Sequence, residues 1–166
     1  DLLTGEHAEA EELLRRVVTV WHKEFVQTRN RGDGNLVLGI YRLYLDSFSR
    51  GPDHGSLLVN AALLLSELDL PEEAASRAAE ALELVPEGTL ALEAAHVACR
   101  ESVNTVNLRV PRDAETTSEG IRAPATDLPH AEALLVRVCG RFLDLAPAND
   151  EDRPVARVAI ARTWYL

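Results

Sequence analysis

The stretch LSELDLPEEAASRAAEALELVPEG, residues 65–88, constrains the fold more than any other. It reads as the end of one helix, a stop at Asp69, and a second helix that Pro71 opens and Pro86 closes. Between the prolines five of the eight apolar positions are alanine: Ala74, Ala75, Ala78, Ala79 and Ala81. Alanine is the strongest helix former, but its methyl buries little surface. Such a face is covered only when neighbouring helices approach closely. The stretch therefore predicts a stack of helices.

Helical periodicity continues on both sides. Residues 5–30 carry Ala10, Leu13, Leu14, Val17, Val18, Trp21 and Phe25 at three-to-four spacing, with Thr4 the expected N-cap. Glu6, Glu9, Glu11 and Glu12 sit near the positive end of that helix. The glycines of RNRGDGN are expected to break the chain before a largely buried helix over 35–49. Further helices are expected over 56–68, 70–85 (capped by Asp69), 89–102, 128–145 and 151–165. Residues 103–128 contain Pro111 and Pro124 and no helical period, so VNTVNLRV is expected to be extended within one long loop insertion. About seven helices, with no sheet for a strand to join, make the expected fold class all-α.

Charge narrows the partners. With 27 acidic and 17 basic residues the net charge is -10, which repels phosphate backbones, and no basic patch interrupts it. A neutral-to-basic protein or peptide is the expected partner, and nucleic acid is not. No run approaches the ~20 apolar residues of a membrane span and no signal peptide is visible, so a cytoplasmic location without membrane contact is expected. Of the 17 basic residues only Lys23 is a lysine, a skew that, with abundant alanine, is expected of a GC-rich bacterial genome. Methionine is absent, which predicts a segment of a larger protein. Cys99 and Cys139 are too few for a disulfide framework and are expected as small buried hydrophobes in helical runs.

Catalytic or metal chemistry has little to stand on. Glu93-x-x-His96 has the spacing of carboxylate-bridged di-iron helices, but no second such pair exists. His7 with Glu11, and His22 with Glu24, each offer two ligands without a third. His54 and His130 read as turn residues, and the RGD of Arg31–Asp33 as a polar turn. There is no G-x-S-x-G, P-loop or G-x-G-x-x-G. The segment is expected to be no enzyme and to take no metal or cofactor.

Repetition is the remaining signal. Pro52 and Pro86 are 34 residues apart, and Pro147 lies 61 beyond Pro86, an excess that the long loop supplies. This spacing resembles the tetratricopeptide repeat, whose unit is two antiparallel helices with small residues at their crossing and a closing proline. Leu58, Ala61, Ala62, Leu65, Ala74, Ala78, Ala81 and Pro86 fall on its signature positions. ALELVP and FLDLAP match its usual ending, and residues 2–18 read like a second helix of such a unit. The resemblance implies one domain: irregular helices over 1–52, a repeat over 55–88, another over 89–147 interrupted by the loop 103–128, and a terminal helix over 151–166.

It also implies hairpins stacked in a right-handed superhelix, whose first helices line a concave groove for an extended peptide or partner helix. The groove positions would be Ser56, Val59, Asn60, Leu63 and Glu67, then Leu90, Glu93, Val97 and Arg100. Some relatives hold a terminal carboxylate with lysine, arginine and asparagine, but Val59 and Leu63 replace the polar groups here, leaving only Asn60 and Arg100. The expected function is a protein-protein interaction scaffold. The alternative is a regulatory, sensor or oligomerisation domain serving a catalytic or DNA-binding domain outside the segment, with homo-oligomers formed through the terminal helices.

Overall fold

The computed structural model describes residues 2–48, 51, 53–109 and 128–165, with side chains from residue 8 to 107 and from 128 to 164 within those limits. The described chain is all-α. Its helices are α1 (Leu2–Thr28), α2 (Arg31–Ser47), α3 (His54–Glu67), α4 (Pro71–Leu84), α5 (Thr89–Arg109), α6 (His130–Leu145) and α7 (Arg153–Tyr165).

Several boundaries differ from the sequence expectation, each for a local reason. Thr4 lies inside α1 instead of capping it. RNRGDGN breaks the chain at its first two residues and not at its glycines: Arg29 reverses it in the left-handed region (φ 53°), and α2 starts at Arg31. Asn30 caps α2 by accepting a 2.8 Å hydrogen bond from the Gly32 N–H, so Arg31, Gly32 and Asp33 form the first helical turn. Gly34 is buried within α2, where a Cβ would sit 2.7 Å from the Phe25 ring and 2.9 Å from Leu68. That glycine is present for close approach, not for a turn.

Asp69 does not cap α4. It occupies the left-handed reversal (φ 61°), which aspartate tolerates better than most residues, and Leu70 is the cap residue without a side-chain bond. His54 opens α3 as a buried residue, not as an exposed turn. The VNTVNLR segment is helical, continuing α5 to Arg109, so the extended reading is corrected. Val103 and Val106 pack on the core there, and the Thr105 hydroxyl donates to the Glu101 carbonyl at 2.8 Å. Residues 110–127 of the expected loop lie outside the described residues.

Connections of two to four residues join α1 to α2, α3 to α4 and α4 to α5, which makes those neighbours antiparallel. Helices pack chiefly on their sequence neighbours, and α3 also meets α5, as α5 meets α7. Arg15 binds Asp53 and Arg29 binds Glu67, both pairs 38 residues apart, so α1 and α3 run parallel. α1 and α2 thus form one antiparallel hairpin, and α3 and α4 another.

Two apolar clusters form the core. One gathers α1 to α3 around Val18, Phe25, Tyr41, Leu58 and Leu65, and the other joins α5 to α7 around Val97, Leu135, Val138 and Phe142. Cys99 on α5 and Cys139 on α6 meet within the second cluster and form a disulfide, with Cα atoms 4.6 Å apart. Both are buried as expected, but they are not free thiols. The pairing has no local sequence signature because it spans 40 residues and depends on two helices being brought together. Cross-linking over that separation removes roughly 4 kcal/mol of unfolded-state entropy. Cys99→Ala/Cys139→Ala is expected to lose about 2–4 kcal/mol of stability, read from urea unfolding, with the helical circular dichroism of the folded state unchanged.

Candidate functional site

Packing on three sides leaves α3 a narrow outer stripe. Nine of its 14 residues are buried, and Ser56, Asn60, Leu63 and Glu67 recur at four, three and four along the rest. Val59, expected in the groove, is buried at 1% exposure and belongs to the core. On α5 the same correction applies to Val97, buried at 2% among the alanines of that helix, while Leu90, Glu93 and Arg100 reach the surface. Val59 is next to Asn60 on the side that neighbouring helices cover, whereas Val97 is in register with Leu90, Glu93 and Arg100 but packs into the second core cluster. Leu63 is half-buried and packs against both core clusters, so its role is partly structural.

Two of the three charged groove positions, Glu67 and Arg100, are already engaged. Glu67 is bound by Arg29. Arg100 donates to the buried Glu101 carboxylate at 2.8 Å and to the Ser66 hydroxyl at 3.1 Å. Glu101 also accepts from Ser66 at 2.7 Å and from Asn104 at 3.0 Å. Burial alone would raise its pKa, but the bonds from Ser66, Arg100 and Asn104 outweigh that and hold it below the ordinary carboxylate value. Arg100 is thus a strut between α3 and α5. His96 Nε2 donates to the Asp152 carboxylate at 2.8 Å, tying α5 to the start of α7, and its ring stacks at a tilt on Phe142. Among the described residues no three histidine, cysteine, aspartate or glutamate side chains converge as a metal site; the His7 side chain lies outside them.

A cavity of about 380 Å³ opens where α1 and α3 run side by side over α2. Thr19, His22, Lys23, Val26 and Gln27 of α1 line it, with Asn60 of α3 and Tyr41 of α2. Of the nine expected groove residues, only Asn60 contributes. His22 Nδ1 lies 2.6 Å from the Tyr41 hydroxyl, with the rings edge-on. Burial raises the Tyr41 pKa well above the usual phenol value, so its hydroxyl stays protonated in the bond to Nδ1. Burial lowers the His22 pKa, against an opposing pull from Glu67, which favours the neutral imidazole.

In the sequence His22 stands out only beside Glu24, as an incomplete ligand pair, which does not mark the cavity. The signal was nevertheless present. His22 lies on the Val18–Phe25 core stripe, at four and three residues from those two, and a tyrosine in a buried helix needs a partner for its hydroxyl. The cavity presents an apolar wall at Val26, amide and hydroxyl groups from Gln27, Asn60 and Thr19, and one ammonium at Lys23, beside the His22–Tyr41 pair.

A histidine pKa depressed by folding contributes stability that is complete above its unfolded value of about 6.5 and is lost as pH falls through the lower folded value. An NMR titration of His22 should therefore give a midpoint below 6.5, and the urea midpoint of the wild type should fall more between pH 7.5 and 5.5 than that of His22→Gln.

No family model matches the chain, and neither do curated proteins or solved structures.

Proposed function

We propose that the chain is a tetratricopeptide-like interaction module that takes an extended protein segment along the face formed by α1, α3 and α5. One observation carries this reading: α1 and α3 run parallel at a constant offset of 38 residues and hold a mixed polar and apolar cavity between them. Parallel first helices with short antiparallel returns are what a hairpin repeat requires, and they leave one shared face uncovered by second helices. The stripe Ser56, Asn60, Leu63 and Glu67 continues that face from the cavity toward Leu90 and Glu93. A net charge of -10 favours a neutral-to-basic segment, with Lys23 and the amides in the cavity fixing the position of one side chain. No catalytic step is assigned to it.

Selection of displayed random peptides on the wild type tests the groove. Enriched peptides should bind Asn60→Arg or Lys23→Glu at least about ten-fold more weakly, a loss of roughly 1.4 kcal/mol. Equal binding to both variants would remove the groove reading. Leu63→Arg is a poorer test, because Leu63 also packs between the two core clusters.

No helix among the described residues is long and apolar enough to cross a membrane. The cytoplasmic expectation and the Cys99–Cys139 bond pull in opposite directions, because cytosolic pools keep thiols reduced. Thiol counting on protein alkylated at lysis decides between them. Two reactive thiols after denaturation keep the cytoplasmic reading, and none moves the protein to an oxidising compartment.

A further inference from the structure

Among the described residues that line the α1–α3 cavity, His22 alone is of a type that changes charge between neutral and mildly acidic pH. Its half-buried ring forms part of the wall, and its Nε2 has no partner among the described residues. Nδ1 is bonded at 2.6 Å to the hydroxyl of Tyr41, a residue buried at 1% exposure. Few charged or titratable groups face the ring. On α1 its neighbour Lys23 lines the same cavity, and on α2 the facing group is Tyr41. On α3 it is Glu67, which Arg29 binds, while Asn60 in the wall is uncharged.

A proton on His22 changes this wall in two ways. Both ring nitrogens become donors, so the buried Tyr41 O–H loses Nδ1 as an acceptor. A second positive charge then stands beside Lys23 in the cavity. Burial already works against that charge, with the pull of Glu67 opposing it. A chain segment seated over the cavity would take more water from the ring and leave the imidazolium still less stable. By linkage, an occupant that makes protonation harder is itself bound more weakly once the proton is on. A neutral or basic occupant brings no negative charge to compensate.

We propose that His22 makes this face acid-releasing: the segment held along α1, α3 and α5 at neutral pH is let go as His22 takes up a proton. The device rests on the groove reading and adds to it a response to pH. The Arg15–Asp53 and Arg29–Glu67 pairs clasp α1 to α3 on either side of the cavity and contain no histidine. Protonation of His22 therefore alters the wall without unfastening the seam.

A peptide enriched on the wild type at neutral pH serves as the probe, chosen without histidine and given an acetylated amino terminus, so that its own titration does not interfere. Its Kd should rise several-fold between pH 7.5 and 5.5, within the limit of about ten-fold that a histidine of ordinary pKa sets. His22→Gln should bind the same peptide with a Kd that stays level over that range. In the wild type the peptide should in turn lower the NMR titration midpoint of His22, a readout that needs no variant. Enriched peptides that bind equally to Asn60→Arg and Lys23→Glu remove the groove and this device with it. Peptides that depend on those two residues, but bind as tightly in acid or lose as much affinity there in His22→Gln, overturn the acid release alone. So does a His22 midpoint that the peptide leaves in place.

Discussion

The alanine seam is the constraint on which the rest of the structure depends. Ala74, Ala78 and Ala81 of α4 are fully buried, and they face Ala61 and Ala62 of α3 and Ala91, Ala94, Ala95 and Ala98 of α5, which are buried to the same degree. Methyl against methyl lets three helices approach closely, but each contact removes little apolar area. Stability there comes from many small contacts at close packing, so a larger side chain would force the helices apart. The larger residues are displaced outward. Tyr41, Tyr44 and Leu58 fill one flank, and Leu135 and Phe142 the other, which is why two core clusters lie on either side of the seam.

Where local pattern and packing agreed, the fold was legible in the sequence. Helix number, the stop at Pro86 and the all-α class follow from periodicity and proline alone. The misreadings all occur where a distant contact overrides a local rule. Gly34 reads as a breaker until Phe25 and Leu68 are seen to leave no room for a Cβ. VNTVNLR reads as extended because its valine and threonine pattern alternates, but Val103 and Val106 are three apart and find the α5–α6 core. Asp69 has the composition of a cap, and only the tight return into Pro71 turns it into a left-handed reversal.

The candidate site was legible in part for the same reason. The outer stripe of α3 could be drawn from helical spacing, and Asn60 indeed lines the cavity. Val59 and Val97 were misplaced because a groove inferred from a repeat assigns positions without knowing which of them neighbouring helices cover. His22 and Tyr41 were missed because their value lies in meeting each other. No single-sequence pattern marks a bond between residues 19 positions apart on different helices.

The covalent bond sits where the stack is weakest in chain-entropy terms. The returns within the first five helices are short, but 20 residues separate the end of α5 from the start of α6. Closing a connection of that length in place of a four-residue one costs roughly 1.4 kcal/mol of additional loop entropy. The α5–α6 interface must bear that cost. Cys99 and Cys139 offset it by confining the unfolded chain across the same gap. Both cysteines are small enough to occupy alanine-like positions, so the bond is added without widening the seam. Close packing and long insertion are thereby reconciled at one place, and α6 and α7 are held on the stack.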